Sequence, residues 1–138
     1  MSPDTTTHVQ TSWEKIKPIS EQAAQLFYGR LFEVYPEVRP MFKGDMKAQG
    51  RMLMAILSNA VDSLNKLEAI VQPVKNMGAR HAGYGVNPGD YDKVAAALLW
   101  TLGQGLGDDF TPEVKAAWVE VYTLLADTMQ AGAAEQAV

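Results

Sequence analysis

The sequence predicts an all-α fold, and three observations carry that reading. Apolar residues recur at intervals of three and four along most of the chain, the period of a helix with one buried face. No segment of useful length alternates apolar and polar residues, so no strand is expected. Prolines and capping residues fall where the apolar stripes break.

Each element follows from its stripe. Val9, Trp13 and Ile16 step by four and three, predicting a helix over 5–16 that Pro18 separates from the next. Ala24, Phe27, Leu31, Val34 and Tyr35 predict 19–34, and Pro36 opens a short helix over 37–42. Leu53, Leu57, Ala60, Val61 and Leu64 predict 46–65, and Leu67, Val71, Val74 and Met77 predict 67–81. Tyr91, Val94, Ala95, Leu98 and Leu102 predict 88–103, started by Pro88 and ended by Gly103, Gly105 and Gly107. The last stripe, Val114, Trp118, Val121, Leu125 and Met129, predicts 112–131. Thr111 before Pro112 and Glu113 is its N-cap signal, and the small residues after Met129 are expected to fray.

Composition narrows the function classes. The chain has 138 residues, enough for one domain, expected over 1–138, that buries roughly two-thirds of its unfolded surface. Twelve Lys and Arg against sixteen Asp and Glu give a net charge of −4, which argues against a nucleic-acid partner. There is no cysteine, which excludes disulfides, thiol catalysis and thiolate metal sites. The polar start lacks a signal-peptide core, and no apolar run is long enough for an integral membrane segment. A cytoplasmic location is expected.

Most familiar chemical motifs fail. Gly83-Tyr-Gly85 lacks a third glycine at the right spacing, and Gly103-Gln-Gly105-Leu-Gly107 closes a helix rather than following a strand, so neither fits a dinucleotide cradle. No nucleophile-elbow motif accompanies His8 or His81, the only two histidines. His8 lies in a polar region and is expected to be exposed. His81 continues the Leu67, Val71, Val74, Met77 stripe, which points it inward. Two readings of His81 then stand: a core imidazole bonded to a carbonyl, or a ligand of haem iron.

Longer stretches carry a resemblance. Phe27-Tyr28-Gly-Arg-Leu-Phe32, Tyr35-Pro-Glu-Val-Arg-Pro-Met-Phe42, Ala79-Arg-His81 and Ala117-Trp118-Val-Glu-Val-Tyr122 resemble bacterial single-domain haemoglobins of the Vitreoscilla type. They also resemble the globin domain of flavohaemoglobins. The similarity runs over roughly residues 4–136, with ordered spacings of 14 from Tyr28 to Phe42, 7 to Gln49, 32 to His81 and 10 to Tyr91.

The resemblance implies a globin fold, three helices packed on three around a noncovalent haem b. By the same likeness His81 is the proximal iron ligand, and Phe42 packs flat on the porphyrin. Tyr28 and Gln49 are the distal pair, with Leu53 as their apolar neighbour. Ala24 and Gly50 are the small residues where two helices cross. Tyr91 and Glu135 match residues behind the proximal histidine, Arg80 could pair with a propionate, and Val86 is a further cofactor contact. Ordinary core packing remains the alternative for Phe42, Tyr28 and Tyr91, and a solvated charge for Arg80 and Glu135. A tyrosine, Lys43 or Lys47 binding ferric iron also stays open.

The function implied is reversible binding of O₂, and of NO or CO, for oxygen transport or delivery. The alternative is NO dioxygenase activity with a separate reductase, because the flavin and nicotinamide domains of flavohaemoglobins are not expected within these 138 residues. A haem-based sensor and a haem-free helical packing module are the remaining readings.

Overall fold

A computed structural model describes residues 3–42, 44–83 and 88–136, with the side chains of 81–83, 88, 135 and 136 left out. Among the described residues there is no strand, as the sequence predicts. Six long helices are α1 (Pro3–Ile16), α2 (Ser20–Val34), α3 (Met46–Asp62), α4 (Val71–Gly83), α5 (Pro88–Leu106) and α6 (Pro112–Gln136). Short 3₁₀ segments at Lys17–Ile19, Pro36–Met41, Leu64–Ala69 and Gly107–Asp109 join them. The helix α1 lies on α6, α5 and α3; α2 lies on α5 and α3; and α4 lies on α6.

The differences from the expected elements have local causes. The stretch 37–42 is 3₁₀ up to Met41, and Phe42 turns extended at φ −106°, ψ 109°. The helix predicted over 67–81 is split. Lys66 takes φ −140°, ψ 60° inside the preceding 3₁₀ segment, which shifts the helical phase, and α4 starts only at Val71. Val71, expected inside, is therefore exposed, whereas Val74 is buried. Val34 is also exposed, at the last residue of α2. His8 lies within α1 and is half-buried rather than exposed.

Gly103 and Gly105 do not end α5. The helix runs through both to Leu106, and the turn falls at Gly107, whose φ of 56° suits a residue without Cβ. Gly105 serves packing instead, since a Cβ there would lie 2.7 Å from Ile16 Cδ1. The tail after Met129 does not end at 131 either, because α6 continues to Gln136 with Gly132 seated against α4.

Two tryptophans tie α1 to its neighbours. Trp13 and Trp118 are almost completely buried, with ring centroids 5.8 Å apart. Trp13 Nε1 donates to Ser58 Oγ of α3 at 2.8 Å, and Trp118 Nε1 donates to Ser12 Oγ of α1 at 2.8 Å. The Ser12 hydroxyl in turn has the His8 carbonyl 2.7 Å away as its acceptor. Each indole thus buries its rings without stranding its N–H. Cutting Ser12→Ala removes the acceptor of a buried donor, which costs about 1–3 kcal/mol. Urea unfolding should show a lower midpoint at unchanged slope; an unchanged midpoint would mean that Trp118 finds another acceptor.

Candidate functional site

The site begins where α2 crosses α3. A Cβ on Gly50 would stand 3.0 Å from Ala24 Cβ, so the two helices meet with almost nothing between them, as expected for that pair. One turn beyond Ala24 is Tyr28, and next to Gly50 is Gln49. The crossing brings these two residues together, near enough for the Gln49 side chain to act on the Tyr28 hydroxyl.

Tyr28 is buried, at 7% exposure, within a ring cluster. Phe27 packs edge-on against it at 4.9 Å between centroids and Phe42 edge-on at 5.4 Å, while Phe32 stacks on it at 5.9 Å. Burial raises the phenol pKa, and the nearby Gln49 side chain offsets part of that rise. Tyr28 is therefore a neutral hydroxyl at physiological pH, able to donate.

Phe32 and Arg39 were given no role by the sequence reading. Phe32 lies edge-on to Phe42 at 5.3 Å, and the Arg39 guanidinium sits 5.0 Å above the Phe32 ring while Nη1 donates to the Phe42 carbonyl at 2.8 Å. Their available signal was spacing: Phe32 is four residues after Tyr28, hence on the same helix face. Phe42, Leu53 and Leu57 all pack on the core yet stay partly exposed.

A cleft of about 690 Å³ opens between α2 and α3. Tyr28, Met46, Gly50 and Met54 line it, but Gln49, Leu53 and Phe42 do not. It lies on a different face of α3 from the expected pocket and is not identified with it.

The remaining expected residues lie on α4, α5 and α6. His81 is on the last turns of α4, with its side chain outside the described residues. Arg80 beside it is exposed; Val86, Lys43 and the Glu135 side chain also fall outside the described residues. Lys47 is exposed on α3. Tyr91 is half-buried in the second turn of α5, and its carbonyl accepts the Tyr122 hydroxyl of α6 at 2.8 Å. Burial raises both phenols, Tyr122 strongly so, with the nearby Tyr91 and Asp92 pushing it in the same direction. The resemblance implies no role for Tyr122, whose partner lies 31 residues away.

A globin family model matches residues 25–129. The chain belongs to the globin family. It is 32% identical over 110 residues to a flavohemoprotein of Halalkalibacterium halodurans, covering 78% of this chain and 27% of that protein. Identity is also 32% with a flavohemoprotein of Bacillus subtilis, over 73% of this chain and 26% of that one. The chain thus spans about a quarter of the length of these relatives. A solved structure of an engineered carbene transferase, made from a candidate nitric oxide dioxygenase of Rhodothermus marinus, superposes with a TM-score of 0.88 at 27% identity. That match covers 98% of this chain and 94% of the other.

Globin membership implies haem binding, and the residues present fit such a group. Leu53 and Leu57, one turn apart on α3, and Phe42, edge-on to Tyr28, are apolar and partly exposed, and Gln49 lies close to Tyr28. Among the described residues no cluster of three or more carboxylate, imidazole or thiolate groups competes as a metal site. No helix there is long and apolar enough to cross a membrane.

The phenols also set an alkaline limit. Above the ordinary phenol pKa of about 10, an unfolded chain loses protons that Tyr28, Tyr91 and Tyr122 still hold when folded. Stability therefore falls as pH rises from there toward the folded pKa values. Tyr122→Phe should flatten the fall between pH values of about 9 and 11 in urea unfolding; an equally steep fall would remove Tyr122 from the cause.

Proposed function

We propose that the chain acts as a single globin domain over 1–138 that holds haem b noncovalently through His81 and binds O₂ reversibly, and NO or CO with it. The Tyr28–Gln49 pair, brought together at the α2–α3 crossing with Phe42 edge-on to Tyr28, is the observation that carries this reading. Haem, when bound, supplies the iron at which diatomic gases bind. The chain's own residues then decide how firmly each gas is held.

Tyr28 offers an O–H and Gln49 an N–H toward a diatomic ligand that takes on partial negative charge. A donor to a charged group is roughly twice as strong as one between neutral groups. The surrounding rings and Leu53 lower the local dielectric, which strengthens each donor. Phe42, clamped by Phe32 and by Arg39 on its carbonyl, gives the porphyrin a flat apolar contact. Tyr91 and Arg80 lie on the histidine side in sequence and would support the ligand and a propionate. Absence of cysteine fits a cytoplasmic setting.

A second reading is favoured by the flavohemoprotein relatives and the dioxygenase-derived structural neighbour: NO dioxygenase activity fed by a separate reductase. Stopped-flow mixing of O₂-loaded protein with NO separates the two. Rapid nitrate formation followed by re-reduction by a partner supports the enzyme, and slow consumption supports the carrier.

For the O₂ reading, Tyr28→Phe keeps the ring and removes the donor. A hydrogen bond to a charged group is worth roughly 1.5–3 kcal/mol, so O₂ release should speed up about ten- to a hundredfold. Gln49→Leu should give a smaller change in the same direction, and CO release should respond little to either. An unchanged O₂ rate, or equal shifts for O₂ and CO, would make Tyr28 a packing residue.

A further inference from the structure

The approach of α4 to α6 is closer than any side chain allows. A Cβ on Gly78 would run into the backbone carbonyl group of Met129, and a Cβ on Gly132 would run into the Lys75 backbone. The two contacts are reciprocal. Each helix offers a glycine to the other's main chain, and on both helices the two contact points are three residues apart. For these thirteen and twenty-five residue helices, backbone therefore rests on backbone, and no rotamer change can absorb an added atom.

This crossing is also the main support of α4. Its first residue, Val71, is 40% exposed, and the segment before it is the kinked 3₁₀ stretch around Lys66. Val74 is the buried apolar side chain that α4 contributes to the core among its described residues. A helix tied so lightly at one end takes its position from the surface it lies on. His81 follows Gly78 by three residues, less than one turn.

We propose that Gly78 and Gly132 are positioning residues for His81: by letting α4 rest on the α6 backbone, they set how far the imidazole-bearing helix stands from the opposite wall. This rests on the reading that His81 holds the haem iron. An added methyl at either glycine needs carbon contacts near 3.5–4.0 Å, so α4 must move away from α6 by an amount on the order of an ångström. The imidazole moves with it. Gly132 is the sharper probe, because it lies on α6 and acts on His81 only through α4.

The test is the iron–histidine stretching band of the ferrous, ligand-free holoprotein, read by resonance Raman spectroscopy. Gly132→Ala and Gly78→Ala should each shift the band. Gly103→Ala should leave it in place, since a Cβ there meets only the Phe110 ring at 3.4 Å. An unmoved band in Gly132→Ala, or an equal shift in Gly103→Ala, overturns the proposal. His81→Ala tells the two ideas apart: a band that survives there removes the His81 reading itself. If Gly132→Ala loses its haem or does not fold, amide exchange of the haem-free natural sequence decides. Residues 75–80 should then be protected to the same degree as 126–132, and exchange of 75–80 at the rate of an unstructured peptide overturns the proposal.

Discussion

Backbone contact between helices, made possible by glycine, is the constraint on which the rest of the site depends. At the α2–α3 crossing Gly50 meets Ala24, and that approach brings Tyr28 beside Gln49. At the α4–α6 crossing Gly78 and Gly132 meet main chain directly. A helix pair packed through large side chains can adjust by changing rotamers, whereas a pair packed on glycine has one spacing. Helix axes normally stand about 8–10 Å apart, depending on the side chains between them, so small residues at the contact favour the closest approach. The Tyr28–Gln49 pair and helix α4 both lie at such contacts.

The aromatic cluster turns that placement into chemistry. Tyr28 is held on three sides by Phe27, Phe32 and Phe42, so its ring has little freedom and its hydroxyl points where the crossing puts it. Burial keeps the phenol protonated, which preserves it as a donor, with Gln49 beside it. Trp13 and Trp118 tie α1 to α3 and α6. Stability and donor geometry are thus linked through α3, which carries Ser58 on one face and Gln49 on another.

How much of this was legible in the sequence depends on the range of the interaction. Helical periodicity located α1, α2, α5 and α6 because each buries one continuous stripe. It failed around Leu67 and Val71, where a single non-helical residue, Lys66, resets the phase. Gly103 and Gly105 read as a helix end because glycine is the usual stop signal; only the Ile16 side chain, 89 positions earlier than Gly105, explains why the helix needs a bare position there. Tyr28 and Gln49 were paired by family likeness, and nothing in their own spacing brings them together without the Ala24–Gly50 contact. Gly78 and Gly132 carried no signal beyond their size, since 54 residues separate them. Membership of the globin family was readable from several ordered segments at once, where no single residue would have sufficed.

The Tyr28–Gln49 pair, the rings around it and the imidazole of His81 serve function only if together they hold haem. The most direct measurement is the visible absorption spectrum of the purified chain after haem is supplied. A strong Soret band is expected at a stoichiometry of one haem per chain, with ferrous bands that change on adding CO. A chain that is folded and helical by circular dichroism, yet takes up no haem and shows no Soret band, would contradict this expectation.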